Sequence, residues 1–277
     1  MADLAPRVLL DGLLFPEAPR WHNGALWFSD MLAKQVRRED EAGTVTTVAS
    51  FDDETPGGLG FLPDGTLLVV GTHSGQLFTI VDDAPQRYRD ISSLVTGHVD
   101  DMVVADDGTA YVGAVGEMTP DAPRDRGAIV RVPMEGDATV EATGVLFPNG
   151  IVIVDDVLLV NETFGEGTVA FDIAADGTLS GRRSWAKVAA THPDGLAVDS
   201  TGAAWIGCYA ESKFIRVEPG GRITDTIDTG GRWATGVALG GADGRTLFMM
   251  TADTDFQRFF AGDSKGRIDI VRVDHGA

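Results

Sequence analysis

One short pattern occurs six times along this 277-residue chain, and that repetition restricts the fold more than any other feature. Each copy has an entrance residue, a short apolar run, a polar turn and a second apolar run. "THPDGLAVDSTGAAWIG" from Thr191 shows the form; "GGLGFLPDGTLLVVGTHSGQLFTI" from Gly57 and "DDMVVADDGTAYVGAVG" from Asp100 repeat it. The entrance residues are Glu17, Gly57, Asp100, Asn149, Asp194 and Thr235, at intervals of 40, 43, 49, 45 and 41 residues. Units of about 40–50 residues made of short strands are the signature of β-propeller blades. Turns such as "PDGT", "DDGT" and "DSTG" carry the Gly and Asp residues that tight hairpins need. No segment sustains a helical period, which sets aside a βαβ fold. The pattern predicts an all-β, six-bladed β-propeller forming a single domain over residues 1–277.

The two ends support this reading. A fourth strand precedes most entrances: "VTTVASF" before Gly57, "SWAKVAA" before Asp194, "TDTIDT" before Thr235. The last repeat stops at "GRIDIVRVDHGA" without one, while "PRVLLDG" lies spare before Glu17. The N-terminal strand is therefore expected to complete the last blade, closing the ring and protecting its edges.

Charge narrows the partners. There are 42 acidic against 22 basic residues, a formal net charge of −20. That argues against nucleic acid, whose phosphates need Lys and Arg. It suits either a solvated acidic surface or a bound cation. No apolar run approaches the roughly 20 residues of a membrane span, so no membrane partner is expected. The N-terminus lacks a basic, apolar and cleavage-site sequence, and the lone Cys208 forbids an internal disulfide. A cytoplasmic protein is the simplest expectation, acting on a small molecule as a monomer or small homo-oligomer. No Gly-x-Ser-x-Gly elbow or phosphate-cradling glycine loop is present, which disfavours a serine hydrolase or an NTPase.

In a propeller the innermost strand of each blade starts beside the central channel, so the six entrance residues should converge at one end of it. Glu, Asp and Asn offer oxygen donors, which suit a hard cation such as Ca²⁺, with Mg²⁺ or Mn²⁺ possible. The ring holds no Cys or His, which weakens but does not remove Zn²⁺. Without a cation such carboxylates would repel one another until one took up a proton.

"FPEAPRW" at Phe15, "FPNGI" at Phe147 and "HPDGLAVD" at His192 resemble the three metal-binding motifs of the SMP-30/gluconolactonase/LRE family, and "ETFGEGTVAFDI" from Glu162 resembles the segment after the second. The resemblance covers essentially the whole chain. It implies a six-bladed propeller with a divalent cation, commonly Ca²⁺, held by Glu17, Asn149 and Asp194. It also implies lactone or phosphotriester hydrolysis, with Asp194 orienting or deprotonating water or attacking directly. The third motif departs. Sugar-acid members typically show Arg-x-Asn-Asp; here "HVDD" puts His98 for the Arg and Asp100 for the Asn, and keeps Asp101. An imidazole cannot make the bidentate contact of a guanidinium. The expected substrate is therefore a lactone or related cyclic ester other than a typical sugar-acid lactone. Asp100 has three candidate roles: a fourth ligand, a base for water, or an acceptor for a substrate hydroxyl. A turn aspartate bonding backbone amides is the plainer alternative.

Loops after the second strands should share the face of the ring. His73 and His98 are candidate acid–base groups or substrate donors. Met118, Phe164, Trp233 and Phe256 could form an apolar pocket, with His73 and Asp101 as further candidate substrate-pocket residues, or the aromatics could pack the loops themselves. His192 and Cys208 read as structural. Two other functions stay open: a non-hydrolytic lyase or cyclisation reaction at the same metal, and a non-catalytic ligand-binding propeller.

Overall fold

The structure, a computed structural model, describes residues 4–117, 127–188 and 191–277. It has six four-stranded antiparallel sheets. Their inner strands are Pro16–His22, Pro56–Phe61, His98–Val104, Pro148–Val154, Pro193–Val198 and Trp233–Gly240 (blades 1 to 6). These sheets are the expected blades of a six-bladed propeller. The N-terminal strand Arg7–Leu13 pairs with Lys265–Arg272 and becomes the outer strand of blade 6, as the spare sequence at that end predicts.

The middle strands read as near-continuous apolar runs because each blade is covered on both faces by its neighbours. Leu67–Gly71 and Ala110–Gly116 are buried throughout. Six apolar clusters among the described residues each lie between two adjacent blades. Leu68, Val70 and Leu77 of blade 2 meet Met102, Val112 and Val130 of blade 3, for example. Leu26 and Phe28 of blade 1 meet Met250 and Ile268 of blade 6, so the closing interface is as apolar as the others. Polar ties reinforce the ring near the axis: Ser29 Oγ donates to the Gly57 carbonyl at 2.7 Å, and Thr235 Oγ1 to that of Pro16 at 3.2 Å.

All six inner strands leave register at the same place. The shifts fall between Glu17 and Arg20, Pro56 and Leu59, Val99 and Met102, Pro148 and Ile151, Pro193 and Leu196, and Ala234 and Val237. A bulge re-aims the side chains it contains, and here it brings Glu17, Asp100, Asn149 and Asp194 within reach of one another. The next residue is Ala or Gly in five of the six blades and Asp in blade 3, and at Gly58, Gly150 and Gly195 the neighbouring backbone is in contact. These residues are Ala18, Gly58, Asp101, Gly150, Gly195 and Gly236. A Cβ on Gly150 would stand 2.5 Å from the Asp194 carbonyl oxygen and 2.6 Å from Leu196 N. Both are backbone atoms, so nothing can rotate away. Gly150→Ala is expected to cost at least about 1–3 kcal/mol as overpacking, each kcal/mol lowering the melting midpoint by about 2–4 °C. Calorimetry of the variant checks this; an unchanged midpoint would mean the blades can spread apart at the axis.

Candidate active and metal site

Glu17, Asp100 and Asp194 converge on the channel from blades 1, 3 and 5. Glu17 lies at the blade 1 bulge, where Ala18 takes a positive φ of 49° and donates its N–H to Glu17 Oε2 at 2.9 Å. Burial holds the Glu17 carboxyl well above the usual range, and the charges of Asp194, Asp100 and Asp101 add to this. Asp194 is raised in the same way, by burial and then by Asp100 and Asp101, with the Asn149 amide partly offsetting the effect. Asp100 is pushed up to about 7 by burial and by Asp101. The backbone under Asp194 is fixed from blade 4: Asn161 Nδ2 donates to the Asp194 carbonyl at 2.8 Å, and Thr163 Oγ1 to that of Pro193 at 2.8 Å.

Asn149 stands beside them on blade 4. Its amide nitrogen faces Thr163 Oγ1 at 3.3 Å and Asp194, which leaves Oδ1 as its atom for a cation. Among the described residues no three His, Cys, Asp or Glu side chains form a metal-holding group by themselves. The donor set fits a hard divalent cation. It is all oxygen, and its carboxylates are buried close enough to raise one another's pKa. The Arg20 guanidinium is engaged by Asp101 and by the Pro19 and Met102 carbonyls.

Asp101 is held by protein donors. Its Oδ1 accepts from an Arg20 guanidinium nitrogen at 2.7 Å and from Met102 N at 2.8 Å, and its Oδ2 faces Ile151 N at 3.4 Å. Asp101, a candidate substrate-pocket residue, thus has both carboxylate oxygens in contact with protein donors.

His98 meets His73 edge-to-face at 4.9 Å on the blade 2 and 3 side of the mouth. Burial, then His73, hold His98 below the usual imidazole range. His73 lies near Glu54 and is largely exposed. On the opposite side Trp233 meets Tyr209 at 5.1 Å, Phe256 at 5.0 Å and Phe15 at 6.4 Å between ring centroids. Phe256 opens the short helix Phe256–Phe260 and is 54 % exposed. Phe164 packs edge-on against Phe147 at 5.1 Å. Met118 lies outside the described residues. His192 Nδ1 and Glu211 Oε1 are 2.7 Å apart, a structural tie in keeping with its expected role. Burial pushes the Cys208 thiol up to about 12, so it stays un-ionised.

Two arrangements were not singled out from sequence. Phe15, His98, Phe147, His192 and Trp233 each stand two positions before an entrance residue, an aromatic tier in which Phe15 and Phe147 join residues already named individually. A second set of acids anchors the loops leading to the entrances. Asp30 accepts from Leu14 and Phe15 N–H, Glu162 from Leu146, Glu211 from His192 and Glu54 from His73 and Ser74.

Fold and site together define a six-bladed propeller with an oxygen-donor centre at one mouth of its channel. Residues 15–253 match the SMP-30/Gluconolactonase/LRE-like region, and the chain belongs to that family. It is 29 % identical to the 6-deoxy-6-sulfogluconolactonase of Pseudomonas putida, over 85 % of this chain and 82 % of that one. It is 26 % identical to the pentonolactonase XacC of Haloferax volcanii, over 86 % and 82 %. The structure of a regucalcin from Agrobacterium tumefaciens, described as a calcium-binding protein, superimposes with a TM-score of 0.81 at 19 % identity, covering 99 % of this chain and 95 % of that one.

Proposed function

We propose that the chain is a divalent-metal-dependent lactonase that opens a cyclic ester to its hydroxy acid. The observation carrying this is the convergence, from four blades, of Glu17, Asp100, Asn149 and Asp194 at the register of one shared bulge. The lactonase relatives support the reaction class. The oxygen donors and the calcium-binding structural neighbour support Ca²⁺ as the ion, with Mg²⁺ and Mn²⁺ also suited to such donors.

Glu17, Asn149 and Asp194 would hold the cation. When bound, it would polarise the lactone carbonyl and offset the charge that develops on its oxygen. Asp100, poised at about 7 by burial and by Asp101, is suited to take a proton from attacking water near neutral pH. Water oxygen then bonds to the carbonyl carbon, the ring C–O bond breaks, and the proton held at Asp100 passes to the leaving alkoxide. Asp194 orients the water or substrate from the facing blade. His98, kept neutral by burial and by His73, can accept a hydrogen bond from a substrate hydroxyl. The aromatic side at Trp233 and Phe256 limits access of bulk water.

The test is proton release on a panel of aliphatic, aromatic and sugar lactones, with chelator-stripped and Ca²⁺-restored protein side by side. Turnover is expected only with the ion restored, and Glu17→Gln is expected to weaken Ca²⁺ binding at least about tenfold by removing one charged oxygen donor. Turnover indifferent to chelation would remove the metal from the reaction. Ca²⁺ uptake without turnover of any lactone would move the reaction to phosphotriesters or to a non-hydrolytic step.

A further inference from the structure

Arg20 and Asp101 are 81 residues apart in sequence, on blades 1 and 3, yet their side chains meet at 2.7 Å near the channel axis. The same guanidinium nitrogen donates to the Met102 carbonyl at 2.6 Å, and the other terminal nitrogen to that of Pro19 at 2.9 Å. Arg20 thus spans from blade 1 to blade 3 past blade 2. It can do so because blade 2 presents Gly57 and Gly58 there. A Cβ on Gly58 would lie 2.5 Å from Met102 N and 2.8 Å from Asp101 Cα, so no side chain fits between them. Asp101 is also the single exception in the column of small residues that follows the entrances. In chain order it stands next to Asp100, and its charge reaches Glu17, Asp100 and Asp194 alike.

We propose that Arg20 is a positioning residue that clamps Asp101 along the channel wall and so keeps its carboxylate out of the cation's donor set. This rests on the metal site proposed above. A catalytic ion needs an open position for substrate or water. Glu17, Asn149 and Asp194 leave such a position beside Asp100, and Asp101, the next residue in the chain, is a further anionic group whose charge reaches the same site. The clamp holds Asp101 by three contacts: the guanidinium, Met102 N and Ile151 N. It also neutralises a charge that would otherwise tighten cation binding without serving the reaction.

The clamp makes metal affinity and turnover move in opposite directions. Ca²⁺ titrations into chelator-stripped full-length protein should show Arg20→Gln binding at least about tenfold tighter, because one positive charge has left the surroundings of the ion. Its kcat should fall while its affinity rises. Asp101→Asn should bind at least about tenfold weaker, because Arg20 then faces the ion unpaired and cannot lose its proton. The Arg20→Gln/Asp101→Asn double variant, a neutral replacement for the pair, should return to within about threefold of wild type. It also serves where Arg20→Gln alone fails to fold, since it leaves no buried charge unpaired; the Asp101→Asn arm then carries the sign. A pair that merely shapes the channel would weaken binding in both single variants, and that result overturns the proposal. So does an affinity that is the same in all four proteins. Wild-type protein that takes up no Ca²⁺, Mg²⁺ or Mn²⁺ overturns the metal site itself.

Discussion

Replacing Asp194 by Asn is expected to lower turnover by about 100- to 10,000-fold and, at the same time, to raise the melting midpoint of the metal-free protein. The two effects share one cause. Burial first, and then the charges of Asp100 and Asp101, raise the pKa of Asp194, and Asp194 in turn raises that of Glu17. Removing one carboxylate relieves that repulsion, while the amide keeps its shape. The surrounding backbone does not depend on the lost charge, because Asn161 and Thr163 bind the carbonyls of Asp194 and Pro193 rather than the side chain. The amide can still accept from Asn149. What the variant loses is an ionised oxygen for the cation and the orientation of the attacking group. Ca²⁺ should therefore stabilise wild type and hardly stabilise the variant. Paired thermal scans and proton-release assays read both effects. Full turnover in the variant would take Asp194 out of the reaction. A lower metal-free midpoint would show that the carboxylate makes a stabilising bond, which contradicts a strained acidic centre.

The blade count, the closure by the N-terminal strand and the convergence of Glu17, Asp100 and Asp194 were legible because they rest on periodicity. A repeat that recurs six times places equivalent residues equivalently, whatever the local sequence. The aim of those side chains was not legible. It depends on a bulge in every inner strand, and a bulge is a misalignment between two strands that no single strand encodes. The same limit applies to Asp101. It sits in the motif beside Asp100, so a sequence reading sends both to the pocket. Its actual partner, Arg20, is reachable only because Gly57 and Gly58 leave blade 2 without side chains at that level. The glycines were visible as repeat members, but their consequence for residues on two other blades was not. The anchoring acids Asp30, Glu162 and Glu211 were hidden for a different reason. In composition they are indistinguishable from the ring acids, and only their backbone N–H partners separate a tether from a ligand.

The metal-free protein is expected to lose stability as pH rises from 6.5 to 8, opposite to the usual behaviour of carboxylates paired with bases. Glu17 and Asp194 are held well above the usual carboxylate range, and Asp100 is pushed up to about 7. Unfolded, all three titrate near pH 4. Between those limits the native state therefore binds more protons than the unfolded state, and stability falls with rising pH. The depressed acids do not interfere. Asp199 beside Arg216 and Thr201, and Glu141 beside Thr139 and Arg131, lose their contribution only below the unfolded value near 4. Two histidines act in the opposite sense. Burial lowers His22 and His98, so the unfolded chain takes up extra protons below about 6.5 and stability there rises with pH. Their contribution fades above 6.5 and is gone by about pH 7.5, where the imidazoles are neutral in both states and the acids set the slope. A divalent cation reverses the trend, because binding requires deprotonated ligands and stabilises the native state by mass action. The gain in melting midpoint on adding Ca²⁺ should therefore be larger at pH 8 than at pH 6. Thermal scans across this range, with chelator and with Ca²⁺, measure both slopes. A metal-free midpoint that stays level or climbs above pH 6.5 would mean that the ring acids are already ionised without a cation, and the electrostatic case for a metal in the channel would fall with it.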